Sequence, residues 1–426
     1  MAEGVDRRAP PAAVSHVHVI GAGLAGLSAA LTLAEAGRTV TLYEAGPVAG
    51  GRCRSYFDRG LGCRIDNGNH LLLSGNEAAM DFLRRIGARE TLHGPDEPVF
   101  PFFDAGSGER WTLRLDRGRI PWWVFSNRRR VPGTRTRDYF SLYALRRAGT
   151  DDTVAETLDD GGALYHRLLE PLAVAALNTR PHEALASLLR GVVDETLLRG
   201  GAACMPLFPR QGLSESLIDP AVEWLRARGC AFNTNFRVAT LRTAQDRVVE
   251  FRSPYQATLL ERDDAIVLAV PPWIAVDLLP GVTAPDAFES ILNIHFRIAA
   301  DPGEAGFIGV IGGTAEWIFV KNEVVSVTVS AANHLVDLPA EDITARVWPE
   351  VRAALALPEA MPPARVVKEK RATFAATAAQ ERRRPGARTH LANLVLAGDW
   401  TATGLPATIE GAIRSGRAAA KALLER

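Results

Sequence analysis

The chain has 426 residues, 47% hydrophobic and 23% charged, and its 49 basic and 49 acidic side chains cancel. A length of this order supports two or three structural units around substantial cores, and the composition is that of an ordinary globular protein. The neutral balance gives no bulk attraction for nucleic acid or an acidic polymer, so neither is expected as a partner.

Residues 1–15 are rich in Pro and Ala and carry Arg7 and Arg8. The apolar run that follows is about four residues, too short for a signal peptide, so this stretch reads as a disordered extension ahead of a cytoplasmic protein. Val17-His18-Val19-Ile20 is a β-branched run of the kind found in buried parallel strands. It leads into Gly21-Ala22-Gly23-Leu24-Ala25-Gly26, which fits GxGxxG. A helix follows, with Leu27, Ala30, Leu31 and Ala34 at helical spacing and Gly37 closing it. A second strand, Thr39 to Tyr43, ends on Glu44-Ala45.

Each residue type in this run answers a physical need. Gly21 permits the tight turn, Gly23 lets backbone approach a pyrophosphate, and Gly26 lets helix and strand pack closely. The helix N-terminus offers amide donors and partial positive charge to phosphates, and Glu44 can accept from ribose hydroxyls. Gly50-Gly51-Arg52 stands where a nicotinamide unit would continue into its next helix. Two glycines and an arginine there read as a second approach to the same pyrophosphate, with Arg52 neutralising charge. That favours FAD over NAD.

The segment 62–75 should pass near the flavin ring, and Asp66, Asn67, Gly68, Asn69 and His70 crowd polar groups between Ile65 and Leu71. Buried polar groups must be hydrogen-bonded, so positioning of flavin or loop is one reading. His70 as proton donor near neutral pH is another, and Asp66 could serve only if burial raised its pKa. Between about 75 and 235 helical patterns dominate, as in AAMDFLRRIG, ALYHRLLEPLAVAALN and LSESLIDPAVEWLRARG. They read as a helical, apolar substrate-binding unit.

Within that run Trp122, Trp123 and Phe125 stand beside Arg128-Arg129-Arg130. This is either a core strand with a basic turn or a peripheral contact with the inner face of the cell membrane. No window is long and apolar enough for a membrane-spanning helix. Further on, Phe236 to Leu241 suggests a strand whose Val238 backbone meets adenine, and Ala265 to Val270 a strand returning to the nucleotide unit. Leu394 to Ala397 ends at Gly398-Asp399, where the carboxylate can bind the ribityl chain. The run Pro406-Ala407-Thr408-Ile409 opens a C-terminal helix with Pro406 near its first turn; its N-terminus would face the flavin pyrimidine. Cys53, Cys63, Cys204 and Cys230 read as free thiols, and the nine histidines show no metal-site spacing.

GxGxxG, Glu44 and Gly50-Gly51-Arg52, together with Gly398-Asp399 and Pro406 to Gly411, resemble the flavin amine oxidase and phytoene desaturase superfamily. Internal segments narrow the match: Asp66 to Leu73, Glu170-Pro171-Leu172 with Ala176 to Thr179, Leu207 to Ser214, Lys370 to Thr377, and Ala397 to Thr401. Together these resemble the hydroxysqualene dehydroxylase family, from about residue 16 to the C-terminus. Asn69 departs from that family's DNGQH form, where Gln stands.

The resemblance implies an α/β fold, with a Rossmann-type FAD-binding domain and an inserted α+β substrate-binding domain. Residues 16–75, 206–275 and 386–426 would form the first. Residues 76–205, mainly helical, and 276–385, a sheet region, would form the second. It also implies reduction of hydroxysqualene to squalene in hopanoid synthesis, with loss of the allylic hydroxyl and hydride from reduced FAD. The substrate would be a membrane-derived isoprenoid. Aromatic faces would steady the cation, with Trp317, Phe319, Phe374 and Trp400 as candidates. No second nucleotide fingerprint is evident, so the electron donor is unknown. A carotenoid-type desaturase, another isoprenoid or amine oxidase, and a non-catalytic flavin-binding partner stay open.

Overall fold

The computed structural model describes residues 15–158 and 160–425; the expected N-terminal extension, Ser15 excepted, lies outside the described residues. Five parallel strands form one sheet, in the order Ala231–Asn233, Thr39–Tyr43, His16–Ile20, Ala265–Leu268, Leu394–Leu396. The strands VHVI, AIVL and LVL are buried throughout, with His18 the polar residue among them, as suits a sheet covered on both faces.

One face carries the helix Leu24–Glu35, in which Leu27, Leu31 and Leu33 are fully buried. Each such burial stabilises the fold by roughly 2 kcal/mol. Gly37, at φ +76°, closes the helix. The C-terminal helix Ile409–Leu424 lies against it so closely that a Cβ on Gly416 would stand 2.2 Å from the Ala25 carbonyl oxygen. On the other face a three-stranded meander spanning Thr240–Ala244, Arg247–Arg252 and Ala257–Leu259 sets Phe251 edge-on to His18 and Tyr43.

The second sheet has seven strands, ordered Ala364–Phe374, Phe288–Arg297, Val324–Val329, Trp317–Lys321, Phe307–Ile311, Val99–Asp104, Arg110–Arg114. Its pairings are antiparallel except between Phe307–Ile311 and Val99–Asp104. The helix Ala340–Leu355 covers one face, packing Ile343, Val347 and Val351 on Ile294, Phe296, Ile318 and Val327. Strand alternation turns Asn293, His295, Trp317, Phe319, Lys321, Ser326 and Thr328 to the opposite face.

Four expectations need correcting. Val99–Asp104 and Arg110–Arg114 are strands of the second sheet inside the stretch read as helical; the first is rich in Phe and the second alternates exposed and buried residues. The helix Glu77–Arg85, read with the substrate unit, packs into the nucleotide-side core with Leu27, Leu31 and Ile413, as does Asp219–Arg226, which the expected bounds 206–275 put on the nucleotide side. Val238 precedes its strand, which begins at Thr240. Pro406 stands two residues ahead of Thr408, the N-cap, whose hydroxyl accepts the Gly411 amide at 3.0 Å.

Candidate active site

The turn Gly21–Gly26 is held by close backbone contact. Gly21 donates to the Tyr43 carbonyl at 2.8 Å with φ +104°, and a Cβ there would fall 2.3 Å from the Ala269 oxygen. A Cβ on Gly26 would fall 1.9 Å from the Gly21 oxygen. Gly23 differs: a Cβ there meets nothing within 4 Å, so this glycine borders open space. Gly50, at φ +118°, bridges to Gly23 and donates to the Ala22 carbonyl at 2.8 Å. Two glycine turns thus lie side by side at the N-terminus of a buried helix. They form a bare-backbone cradle that fits a pyrophosphate.

Glu44 is fixed beside this cradle, accepting from the Ala22 amide at 3.0 Å and the Gly46 amide at 2.8 Å. Each carboxylate oxygen keeps a lone pair for a hydroxyl. Ala45 is exposed next to it. Arg52, read as a pyrophosphate counter-charge, is paired with Asp399 at 2.7 Å to both carboxylate oxygens and also donates to the Ala372 carbonyl. This pair ties the N-terminal turn to the C-terminal segment. Gly398 donates to the Ser415 hydroxyl at 2.9 Å, which holds Asp399 against the C-terminal helix. Pro406 is buried, and Ala407, Thr408 and Ile409 line the start of that helix.

The loop after the strand Cys63–Asp66 joins this cradle to the second sheet. Asp66 accepts from Lys321 Nζ at 2.7 Å, the Ser55 hydroxyl at 2.6 Å and the Leu213 amide at 2.9 Å. Burial alone would raise its carboxyl, but the Lys321 charge and these hydrogen bonds hold it below the ordinary carboxylate range. Asp66 is therefore ionised and saturated, an anchor and not a proton donor. Asn69 donates to the Thr328 hydroxyl at 3.1 Å, Thr328 donates to Asn293 at 3.0 Å, and Asn293 donates to the Asn67 carbonyl at 3.3 Å. A Cβ on Gly68 would press on Asn293 at 3.0 Å, so the loop lies flat on the sheet. His70 is half-buried, and burial pushes its imidazole down to about 4. It is a neutral ring near pH 7, which corrects the expectation of an acid poised there.

Beyond the loop lies an aromatic wall. Phe208, Phe307 and Phe319 are buried together, with Phe100, Trp317 and Leu71 packed on them. Trp317 is half-buried and opposite Thr328, so the wall begins where Asn69 is tethered. Among the other cation-stabilising candidates, Phe374 has its face covered by the Arg384 guanidinium at 4.7 Å. Trp400 is buried and donates to the Val270 carbonyl at 2.9 Å. Trp317 and Phe319 belong to the wall, while Phe374 and Trp400 support the Arg52–Asp399 side.

The family model described as flavin containing amine oxidoreductase matches residues 24–301 and 313–424. The chain belongs to that family. It is a flavin-dependent oxidoreductase. It is 49% identical to the hydroxysqualene dehydroxylase of Rhodopseudomonas palustris over 96% of this chain and 98% of that one. With the hydroxysqualene dehydroxylases of Zymomonas mobilis and Sinorhizobium fredii it shares 44% and 46% identity, over 96% and 95% of this chain and 98% and 97% of theirs. Among solved structures it resembles the cyclohexylamine oxidase of Brevibacterium oxydans, with TM-score 0.69 and 16% identity over 96% of this chain and 99% of that one. It also resembles an oxidoreductase of Methanosarcina mazei, with TM-score 0.70 and 14% identity over 96% of this chain and all of that one. These two show the fold.

Sequence reading missed Lys321, Asn293 and Thr328, which hold the loop from the second sheet. Lys321 left a signal, a lone cation in step with Trp317 and Phe319 on a strand whose alternate residues are Ile318 and Val320. Glu316 was missed as well; burial pushes its carboxyl up to about 7 while it accepts the Ser330 amide at 2.7 Å. The segments behind the resemblance meet in space: Asn178 donates to Thr373 at 2.9 Å, and the Ala376 amide donates to Thr179 at 2.8 Å. The four cysteines are buried and unbridged. His16, His18 and Asp264 lie within reach of one ion, but the imidazoles lie tilted against each other at 4.2 Å and bond to Thr41 and Tyr43.

Proposed function

We propose that this protein binds FAD and reduces hydroxysqualene to squalene in hopanoid synthesis, drawing a membrane-derived isoprenoid onto the aromatic wall. The observation that carries the reading is the juxtaposition of that wall with the Asn67–His70 loop and the glycine cradle. Three relatives similar over nearly the whole chain carry the same activity in their names. Gly23 and Gly50 would hold the pyrophosphate, Glu44 the ribose, and Asp399 with the C-terminal helix the ribityl and pyrimidine end.

The allylic hydroxyl leaves as water once a proton from solvent is added to its oxygen, and the C–O electron pair departs with it. The cation left on the substrate is steadied by the face of Trp317, which packs on the buried cluster containing Phe319. Reduced FAD supplies the hydride that replaces the hydroxyl. His70 donates a hydrogen bond that holds the hydroxyl; its protonated fraction rises as pH falls toward 4. The loop tethers to Asn293 and Thr328 fix where that donor stands.

The test is anaerobic single turnover of photoreduced protein with hydroxysqualene, with flavin oxidation followed by absorbance and product by mass. Squalene and oxidised flavin in equal amounts are expected. His70→Ala should retain FAD and slow the reaction; undiminished flavin oxidation in that variant removes His70 from the step. Oxidised protein that is instead reduced by a polyene would assign desaturation.

A further inference from the structure

We propose that residues 119–147 form a docking surface for a bilayer carrying anionic lipid. The segment exposes Ile120, Trp122, Phe125, Phe140 and Tyr143 to 54, 62, 59, 62 and 50% of their surfaces. Exposed large hydrophobics are few elsewhere on the described residues, and five gather in this short run.

Their display follows from local structure. Trp122–Phe125 and Thr136–Arg147 are 3-10 helices, in which residues three apart eclipse on one side. Trp122 and Phe125 are such a pair, with ring centroids 6.1 Å apart, and Phe140 and Tyr143 are another, at 6.4 Å. The adjacent residues Trp123 and Tyr139 turn inward and meet edge to face at 4.9 Å, which locks the two helices together. The aromatic display is thus held by a packed underside and is not a loose loop.

Charge names the partner. Between residues 117 and 147 stand nine arginines against one carboxylate, Asp138, in a chain whose net charge is zero. Arg119, Arg128, Arg135 and Arg147 are exposed and have no carboxylate partner among the described residues. Exposed aromatics sharing a segment with unpaired guanidinium groups suit the headgroup boundary of an anionic membrane.

The surface is joined to the site. Asp116, just past the edge strand Arg110–Arg114, accepts from the Trp123 amide and the Arg129 guanidinium, each at 2.7 Å. On that strand Trp111 stacks on Phe102, whose ring meets Trp317 at 5.8 Å. The inner side of the docking surface therefore leads to the aromatic wall. The docking claim stands on these side chains whichever isoprenoid the site takes.

Flotation of the purified full chain with vesicles tests it. Strong recovery is expected with mixed phosphatidylcholine and phosphatidylglycerol, little with phosphatidylcholine alone, and a fall with added salt. The combined variant Trp122→Ser, Phe125→Ser, Phe140→Ser, Tyr143→Ser should lose about tenfold or more of that recovery. Arg128→Glu with Arg147→Glu should behave likewise. Both variants should keep their flavin content and their turnover of detergent-dispersed substrate. Quenching of wild-type tryptophan fluorescence by brominated lipid, reduced in Trp122→Phe, checks the contact without disturbing the other aromatics. Equal recovery on neutral and anionic vesicles, or full recovery of the aromatic variant, overturns the proposal. So does self-association abolished by these substitutions without vesicle binding, which would seat a second copy there.

Discussion

Where the five-stranded sheet meets the cofactor cradle it offers backbone: Gly21, Gly23, Gly26 and Gly50 carry the geometry, with side chains excluded by contact at Gly21, Gly26 and Gly50 and Gly23 facing open space. Where the seven-stranded sheet meets the Asn67–His70 loop it offers side chains, with Lys321, Asn293 and Thr328 bonded across chain separations of more than two hundred residues. A backbone site tolerates almost no added atom. A side-chain site tolerates change in proportion to the bond removed. The sharpest way to break this contrast is at the glycines. Gly26→Ala places a Cβ 1.9 Å from the Gly21 oxygen and should yield little folded, flavin-bearing protein. Gly23→Ala meets no protein atom within 4 Å, so it should fold with an ordinary thermal midpoint yet lose flavin. Flavin absorbance per folded chain reads both; a Gly23→Ala protein that keeps its flavin would place the pyrophosphate elsewhere.

On the second sheet the heaviest tie is the Asp66–Lys321 pair, with side chains only 4% and 12% exposed. Asp66→Asn strands the ammonium in a desolvated place and should cost about 3–5 kcal/mol. Adding Lys321→Met removes the stranded charge and should restore most of that loss. Urea unfolding at constant slope measures each step. An Asp66→Asn protein of unchanged midpoint would mean water reaches the lysine.

This division also explains what could be read in the sequence. The cradle is legible because backbone contact demands glycine at fixed spacing, and the strand–turn–helix pattern around Gly21–Gly26 carries its own geometry. Asp66 and His70 could be singled out as polar residues in an apolar run, but not their charge states. Those depend on Lys321, 255 residues away in the chain, and on burial that only the packed sheet creates. The helix Glu77–Arg85 was legible as a helix and misplaced as to partner, because an apolar stripe does not name the surface it covers. Glu410 shows the same limit. It stands in the segment read as facing the pyrimidine, yet its carboxylate accepts the Ala78 and Ala79 amides at 2.9 and 2.8 Å and anchors a neighbouring helix.

One buried histidine on each sheet gives a matched probe of acid sensitivity. Burial lowers His18 on the parallel sheet and His295 on the antiparallel one to about 4 from the ordinary 6.5. Both folded values lie below the unfolded one, so between pH 6.5 and 4 the unfolded chain binds more protons. Their contribution is complete above about 6.5, falls as pH drops, and stops changing below about 4. The shift corresponds to roughly 3 kcal/mol for each group at most. Denaturation midpoints measured across that window should decline, and His18→Gln or His295→Gln should flatten the curve by its own share. A wild-type curve flat from 6.5 to 4 would show that both rings reach solvent.

The lightest tie is Asn69 to Thr328 at 3.1 Å, where this chain departs from the glutamine of the family it resembles. Asn69→Gln lengthens the arm by one methylene but keeps its donor. Thr328 remains satisfied through Asn293, so stability should change by no more than about 1 kcal/mol. Flavin content should not change at all. If the side chain only pins the loop, single-turnover rate should follow the small change in loop position and stay within about tenfold, a barrier change of about 1.4 kcal/mol. A larger fall with intact flavin and an intact thermal midpoint would mean that the amide itself touches the substrate. The second sheet would then contribute to the reaction directly, and not only by holding the loop that does.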